Sequence, residues 1–212
     1  MIVAIDGPAA AGKGTLARRI ARHFNLAYLD TGAIYRATGF QALEAGDNPA
    51  DPALAEAAAK RVRADQLSNP KLREEAVAKA ASIVAAIPGV RAALLAFQRD
   101  FASHPPAGSK GAVLDGRDIG TVVCPEAEVK LFVTASAEAR ALRRFKELQE
   151  QDPGVIYLRV LQDMKDRDAR DSQRQAAPLV PAPDAVVLDT TALDADAVFK
   201  MACDIVGRKV AP

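Results

Sequence analysis

Gly7-Pro8-Ala9-Ala10-Ala11-Gly12-Lys13-Gly14-Thr15 is the stretch that decides the fold of this chain. It follows Ile2-Val3-Ala4-Ile5-Asp6, a short β-branched run that predicts a buried strand. It continues into Leu16 to Phe24, where apolar residues recur with the period of a helix. A strand, a glycine-rich loop and a helix in this order are the context of a phosphate-binding loop. We use that name for residues Gly7 to Thr15.

Three features of the phosphate-binding loop suit a nucleoside triphosphate. Its glycines allow backbone N–H groups to turn toward phosphate oxygens, and the start of the helix adds the positive end of its dipole. Lys13 is long enough to reach the β- and γ-phosphates. The hydroxyl residue, Thr15, stands one position later than in the simplest pattern because Gly14 follows Lys13. The alternative is a glycine-rich turn with a surface lysine, and the flanking strand and helix argue against it.

Composition limits the classes of function. A chain of 212 residues suits one α/β domain with inserted subdomains. The formal charge is +1, aromatic residues make up 5% and Trp is absent. A long polyanion would therefore find neither bulk positive charge nor a stacking platform, and we expect no nucleic-acid partner.

Cysteine usage and hydropathy predict a cytoplasmic protein. Cys124 and Cys203 are too few and too far apart in sequence for a disulfide framework or a zinc site, which favours a reducing compartment. No apolar run approaches the roughly 18 residues of a membrane span. The first residues lack a basic region and already read as a strand, so neither a signal peptide nor a membrane partner is expected.

A second anion site is one of two interpretations of the next segment. Leu26 to Asp30 predicts a strand, and a helix follows from Ala33 to about Ala45. Thr31, Tyr35 and Arg36 cluster around its first turn. A Thr at this position is commonly a helix cap, whereas a helix start beside an arginine also binds anions. The local sequence leaves both open.

Residues 47 to 111 are alanine-rich and helical in pattern, with no convincing strand. Pairs such as Asn48-Pro49 and Ile87-Pro88 interrupt the helices. The segment separates the second strand from the third, so we interpret it as an insertion on the core. His104 stands alone in a loop near its end and is expected to be exposed.

The third strand, Ala112 to Asp115, ends in a carboxylate. On a chain with a phosphate-binding loop, this predicts that Asp115 lies near a nucleotide's Mg²⁺, directly or through water. Arg117 and Asp118 follow at the carboxyl end of the strand, where open α/β sheets bind ligands. The alternative is a tight turn with a local Arg–Asp pair.

The rest of the chain completes the α/β pattern. Val129 to Val133 and Ala185 to Asp189 predict the fourth and fifth strands. Ser136 is expected to cap a helix to about Glu150. A second helix follows from Val155 to Gln175, and a final amphipathic helix is expected from about Asp194 to Val206.

An arginine-rich face marks the helix from Val155 to Gln175. Arg167, Arg170, Asp171 and Arg174 have the spacing of one helical face. Such a face is commonly a solvated surface. Several guanidinium groups on one face also suit a mobile phosphate clamp, which we favour because the chain already carries a phosphate-binding loop.

Together these elements resemble the nucleoside monophosphate kinases, and more closely the bacterial cytidylate kinases. The matching segments are Asp6 to Thr15, Asp30 to Arg36, Ala80 to Ser82 with Pro88 to Arg91, Asp115 to Thr121, Arg167 to Arg174, and Ala177 to Pro181. The first segment alone is typical of P-loop kinases in general. Asp115-Gly-Arg-Asp118 and the arginine-rich helix narrow the resemblance to the cytidylate kinases. One departure is that residues 60 to 76 are short and helical in character, where longer relatives carry a small antiparallel β insert.

The resemblance implies a P-loop kinase fold in one domain, residues 1–212. This fold has a five-stranded parallel sheet flanked by helices, a helical monophosphate-binding insertion at about 31–111 and a short lid at about 145–175. The loop from Gly7 to Thr15 would hold ATP, with Mg²⁺ near Thr15 and Asp115. The residues implied to contact the substrate are Thr31, Tyr35, Arg36, Ser82, Arg91, Arg117, Asp118, Arg167, Asp171 and Arg174. The residues implied to serve catalysis are Lys13, Arg117, Arg167 and Arg174.

The activity implied by the resemblance is ATP-dependent phosphorylation of CMP and dCMP by a monomer. Asp118 and Ser82 suit cytosine, because a carboxylate accepts from its exocyclic amine, and Asp171 suits a ribose hydroxyl. The nearest alternative is a kinase of another monophosphate, UMP or AMP. A regulatory nucleotide-binding ATPase is a further alternative, although no Asn-Lys-x-Asp segment for guanine recognition is present.

Overall fold

The sheet lies at the centre of the molecule in a computed structural model, which describes residues 1–150 and 152–210. Five strands form one sheet in the order β2-β3-β1-β4-β5, and every neighbouring pair is parallel. The strands are β1 (Ile2–Asp6), β2 (Ala27–Asp30), β3 (Ala112–Gly116), β4 (Val129–Thr134) and β5 (Val186–Asp189). The predicted five-stranded parallel sheet is therefore confirmed.

Helices cover both faces of the sheet. They are α1 (Lys13–Phe24), α2 (Thr31–Glu44), α3 (Pro52–Lys60), α4 (Glu75–Val84), α5 (Pro88–Ser103), α6 (Ala137–Gln149), α7 (Tyr157–Gln173) and α8 (Ala195–Val210). Two short 3₁₀ turns, Ala64–Ser68 and Pro70–Arg73, precede α4, and one π-helical turn, Ile119–Val123, follows β3.

Two apolar cores flank the sheet because its strands are hydrophobic on both sides. On one side, Ile5 and Leu131 of the sheet pack with Ile20 of α1 and with α8. On the other side, Leu114 packs with Ile34 of α2, with Leu94 of α5 and with their neighbours. These cores fix the helices that carry the polar side chains at the carboxyl ends of the strands.

The segment between β2 and β3 consists of helices, two 3₁₀ turns and connecting loops, and it contains no strand, as predicted. His104 at its end is exposed, and its ring lies 3.0 Å from the carboxylate of Asp100. The predicted lid, about 145–175, covers the end of α6, its connection and α7. Gln151 of that lid and the last two residues of the predicted domain 1–212 lie outside the described residues. The division into insertion and lid stays a prediction.

Two details of the predicted helices are wrong. The cap of α2 is Asp30 rather than Thr31, since the Asp30 carboxylate accepts from Ala33 N at 3.1 Å. The helix predicted to end at Gln175 ends at Gln173, and Arg174 has an extended backbone. The direction of Arg174 is therefore set by the extended backbone after α7, not by the helical face that its spacing suggested.

Across residues 1–150 and 152–210, no single helix is long and apolar enough to cross a bilayer. Only α4 and α5 taken together, which are bent by 101°, reach that length and composition.

Candidate functional site

Two adjoining cavities open where the strands of the sheet end. The larger cavity has a volume of about 1090 Å³ and the smaller cavity about 270 Å³. Both are lined by Ala9, Ala10, Lys13 and Gly14 of the phosphate-binding loop and by Arg167 of α7. Parallel sheets bind ligands at this end, and the shared lining residues make the two cavities neighbours at the same loop.

The backbone of the phosphate-binding loop turns sharply between β1 and α1. Ala10 and Gly12 adopt positive φ angles of 56° and 91°. A Cβ atom at Gly7 would lie 1.9 Å from Val133 O, so only glycine fits between the loop and β4. The loop then enters α1 at Lys13, which leaves the first N–H groups of that helix free to bind an anion.

Lys13 is buried beneath the loop and ready to receive an anion. Its Nζ donates to Pro8 O at 2.7 Å. Burial, and next the charge of Arg117, holds the pKa of the Lys13 amine well below its usual value. A bound phosphate would add negative charge beside the amine and raise that pKa.

Asp6 ties the end of β1 to the turn that follows β3. Its two carboxylate oxygens accept from Ile119 N and Gly120 N, each at 2.8 Å. Burial raises the pKa of Asp6 to about 6, against the lowering effect of these two hydrogen bonds. No role was predicted for Asp6 from the sequence. The available signal was a carboxylate at the end of a buried strand, next to the loop.

The smaller cavity brings together every residue predicted to contact the substrate. Its lining includes Thr31, Tyr35, Arg36, Ser82, Arg91, Arg117, Asp118, Arg167, Asp171 and Arg174. These side chains come from α2, α4, α5, the turn after β3, and the end of α7. Their roles stay a prediction, but their common location is a feature of the structure.

Buried ion pairs connect the wall of the smaller cavity. Arg91 of α5 is paired with Asp118, and Arg117 Nε donates to Asp171 Oδ2 at 3.0 Å. Arg174 joins the two pairs, since it lies 3.8 Å from a carboxylate oxygen of Asp118 and 3.9 Å from one of Asp171. A local Arg117–Asp118 pair, the alternative considered from the sequence, does not form. Each residue instead pairs with a distant helix.

The ionisation of Asp171 follows from this network. Burial acts to raise the pKa of its carboxyl, but the charges of Arg117 and Arg167 outweigh burial and lower it. Asp171 is therefore a carboxylate at neutral pH and can accept hydrogen bonds from a ligand as well as from Arg117.

Several arginine donors in the smaller cavity have no hydrogen-bond partner within the described part of the chain. They are Arg36 Nε, Arg167 Nε and Arg174 Nη2. Arg36 does contact Asp30 through Nη2 at 2.6 Å. Burial, and next the charge of Arg117, lowers the pKa of Arg167 to about 10. Buried guanidinium donors without partners favour a multiply charged oxyanion such as a phosphate.

Arg170 belongs to the same predicted clamp but faces elsewhere. It lines neither cavity, and its Nε donates to Ser82 Oγ at 3.1 Å. Arg170 therefore orients Ser82 from outside the smaller cavity.

The residues predicted to lie near Mg²⁺ fit a cation that a nucleotide helps to hold. Asp115 lies beside Gly14, where a Cβ atom would be 3.3 Å from its Oδ2, and Thr15 lines the larger cavity. Burial, and next the nearby charge of Asp30, raises the pKa of Asp115 to about 6. No group of three or more His, Cys, Asp or Glu side chains suited to a metal occurs among residues 1–150 and 152–210. One carboxylate and one hydroxyl match Mg²⁺, which takes most remaining ligands from phosphates and water.

Two arginines of α6 line the larger cavity and were missed from the sequence. Arg143 Nη1 donates to Thr190 Oγ1 at 3.0 Å, and Arg144 Nη2 donates to Glu75 Oε2 of α4 at 2.7 Å. The only signal was the density of arginine on α6, which is equally typical of a solvated face.

Comparison with known proteins identifies the family. The family model for cytidylate kinase matches residues 3–208. A cytidylate kinase of Paramagnetospirillum magneticum is 65% identical over 208 residues, covering 98% of each chain. A cytidylate kinase of Rhodospirillum rubrum is 57% identical over 209 residues, covering 99% of this chain and 98% of the relative.

A solved structure supports the fold alone. It is that of an uncharacterized protein from Eubacterium ventriosum, with a TM-score of 0.52 and 14% sequence identity over 98% of each chain. The extended matches in sequence, in contrast, establish kinship. This chain belongs to the cytidylate kinase family.

Proposed function

We propose that this protein transfers the γ-phosphoryl group of ATP to CMP and dCMP, with ADP and CDP or dCDP as products. The observation that carries this proposal is the smaller cavity, where Asp118 lies among buried arginines next to the phosphate-binding loop. Family membership supports the same activity.

The larger cavity and the loop form the donor side of the proposed site. The triphosphate of ATP lies against the loop N–H groups and the start of α1, and Lys13 contacts the phosphates nearest the reacting bond. Mg²⁺, when held near Thr15 and Asp115, supplies charge neutralisation for the phosphate oxygens. Arg143 and Arg144 border this side.

The smaller cavity forms the acceptor side. The unpartnered donors of Arg36, Arg167 and Arg174 bind the monophosphate. Asp118 accepts from the exocyclic amine of cytosine, a group that uracil replaces with an acceptor oxygen. Ser82, oriented by Arg170, contacts the same edge of the base. Asp171 accepts from a ribose hydroxyl.

Catalysis in this proposal depends on positioning and on charge rather than on a general base. The acceptor phosphate is already anionic, and phosphoryl transfer proceeds through a loose transition state whose charge lies on the transferring group. Lys13, Arg117, Arg167 and Arg174 surround that group with positive charge. Movement of α7 toward the loop excludes water, which would otherwise hydrolyse ATP.

A kinase of CMP differs from kinases of other monophosphates in that it must select cytosine. UMP presents an acceptor where Asp118 needs a donor, and AMP carries a second ring. A regulatory ATPase would need no second phosphate site, and the unpartnered arginines of the smaller cavity argue against it. We propose further that the protein is a cytoplasmic monomer that binds neither nucleic acid nor membranes.

A coupled assay of ADP formation tests the proposal. ATP and Mg²⁺ are held constant while CMP, dCMP, UMP and AMP are supplied in turn, and one reaction contains no acceptor. We expect kcat/KM to be highest for CMP or dCMP and turnover without an acceptor to be negligible. A higher kcat/KM for UMP or AMP would contradict the choice of base, and turnover independent of an acceptor would favour the ATPase.

A further inference from the structure

Arg140 of α6 is a buried cation that lines neither cavity. Its Nε donates to Ala135 O at 2.9 Å, and its Nη1 donates to Ala9 O at 3.3 Å. Nη1 and Nη2 also donate to the two carboxylate oxygens of Asp168 at 3.2 and 2.6 Å. One guanidinium group therefore joins the end of β4, the phosphate-binding loop and α7.

The contact with Ala9 O fixes the orientation of the Ala9–Ala10 peptide, whose residues line both cavities. The carbonyl and N–H groups of a trans peptide point in opposite directions, so the bond to Ala9 O also sets the direction of Ala10 N–H. Ala10 has a φ of 56°, a left-handed conformation that is unfavourable for alanine and needs external support. Arg140 supplies such support from behind the loop.

The contact with Asp168 fixes the rotation of α7 about its axis. A bidentate pair between arginine and a carboxylate restricts both partners in direction as well as in distance. Arg167, the preceding residue, faces both cavities, and Asp171, one turn further on, pairs with Arg117. A small rotation of α7 would move both side chains away from the reacting phosphates.

Apolar side chains also pack between α6, α7 and the phosphate-binding loop. Ala141, Val160 and Met164 form a small core between α6 and α7, against which Ala9 and Ala10 pack. This packing holds the helices against the loop but does not fix their relative orientation, because the hydrophobic effect is non-directional. Arg140 adds directional contacts to that interface.

We propose that Arg140 is a positioning residue that holds the arginine helix α7 in register with the phosphate-binding loop, so that donor and acceptor phosphates meet in line. The inference rests on the proposed function. Arg140 does not touch either nucleotide and acts through Ala9 and Asp168. Lysine cannot replace it, because an ammonium group cannot serve these separate acceptors in one plane.

Kinetics and stability measured together test this role. The variants are Arg140→Met, Arg140→Lys and the double variant Arg140→Met/Asp168→Leu. We expect kcat with CMP to fall roughly 100-fold in all three, the scale of a small misplacement of reacting groups, with KM changed less than about threefold. The double variant has no unpaired buried charge, so its thermal midpoint should recover toward that of the wild type.

A second ion pair between the same two helices provides a matched control. Lys165 of α7 lies 4.0 Å from Glu138 of α6, and both side chains are exposed. Glu138→Gln should leave kcat and the thermal midpoint unchanged.

The outcomes separate positioning from stability. The inference is overturned if kcat in the double variant recovers together with the thermal midpoint, or if Arg140→Met keeps the kcat of the wild type. A wild-type chain that fails to phosphorylate CMP would instead contradict the proposed function, and the inference with it. A low kcat in a double variant of normal stability supports the positioning role.

Discussion

The two sides of the proposed site hold positive charge in different ways. The phosphate-binding loop uses backbone N–H groups and one buried amine, Lys13, whose neighbour in the structure is the neutral carbonyl of Pro8. The smaller cavity uses several arginines, and buried carboxylates such as Asp118 and Asp171 pair with some of them.

The two kinds of cation suit different tasks. Lys13 Nζ donates to a neutral carbonyl at the end of a flexible four-carbon stem, so it can move with a phosphate as the phosphate transfers. Ion pairs with carboxylates fix the orientation of the arginine guanidinium groups. Such fixed donors suit recognition of a base, a ribose and a monophosphate. We therefore expect substitutions in the loop to lower the rate for every acceptor, and substitutions in the smaller cavity to change the preference among acceptors.

Lys13→Ala should give the largest loss. Removal of a preorganised contact with the transferring group costs at least ~2.7 kcal/mol in transition-state stabilisation, or roughly 100-fold in rate. The loss should be similar with CMP and with dCMP, since Lys13 belongs to the donor side. Steady-state kinetics with both acceptors provides the measurement, and near-normal turnover would remove Lys13 from the proposed mechanism.

Asp6→Asn should change how stability depends on pH. The pKa of Asp6 in the folded protein, about 6, lies above its ordinary value of 3.8. Asp6 therefore stabilises the fold fully below about pH 4 and loses this contribution as the pH rises through 6. The shift corresponds to about 3 kcal/mol.

The measurement is the free energy of unfolding from urea titrations between pH 4 and 7. The difference between the wild type and Asp6→Asn should shrink as the pH rises. A difference that is constant or grows with pH would contradict the raised pKa. Asp184→Asn is the control, because Asp184 lies at the surface beside Lys130.

Asp118→Ala should impair the use of CMP more than the binding of ATP. A lost hydrogen bond to a charged group costs about 1.5 to 3 kcal/mol, or roughly 10- to 150-fold in kcat/KM for CMP. The Kd for an ATP analogue should change little, because the triphosphate lies on the other side of the loop. Equal losses in both measurements would make Asp118 a structural residue.

Glu75→Gln should give the smallest effect. Glu75 is 62% exposed and pairs with Arg144 across the mouth of the larger cavity. An exposed pair contributes less than ~1 kcal/mol and weakens with salt. Steady-state kinetics at low and high ionic strength should show a KM for ATP within about fivefold of the wild type. A larger effect that salt does not reduce would show that this pair resembles the buried ones.

The donor side could be predicted from the sequence because it is continuous. The loop, its strand and its helix are adjacent in the chain, so glycine spacing and helical period suffice to place Lys13. The five-stranded parallel sheet was also predicted correctly, and the ten side chains predicted to contact the substrate line one cavity, although their roles stay a prediction.

The contacts of the acceptor side could not be predicted from local sequence patterns. Arg117 pairs with Asp171 of α7, and Arg91 with Asp118, across sequence separations that no local pattern reports. The spacing of Arg174 predicted a helical position, whereas the helix ends at Gln173. Asp6 was missed because it accepts from backbone N–H groups of a distant turn, and Arg140 because it contacts Ala9 O and the Asp168 carboxylate, which only the folded chain brings near.

The central claim is that the loop and the smaller cavity form one site for two nucleotides. The most direct measurement is calorimetric binding of a single compound in which cytidine and adenosine are joined through a polyphosphate chain. We expect one molecule to bind per chain, with an affinity well above that of ATP or CMP alone and weakened by both Lys13→Ala and Asp118→Ala. An affinity no higher than that of ATP, and insensitive to Asp118→Ala, would contradict it.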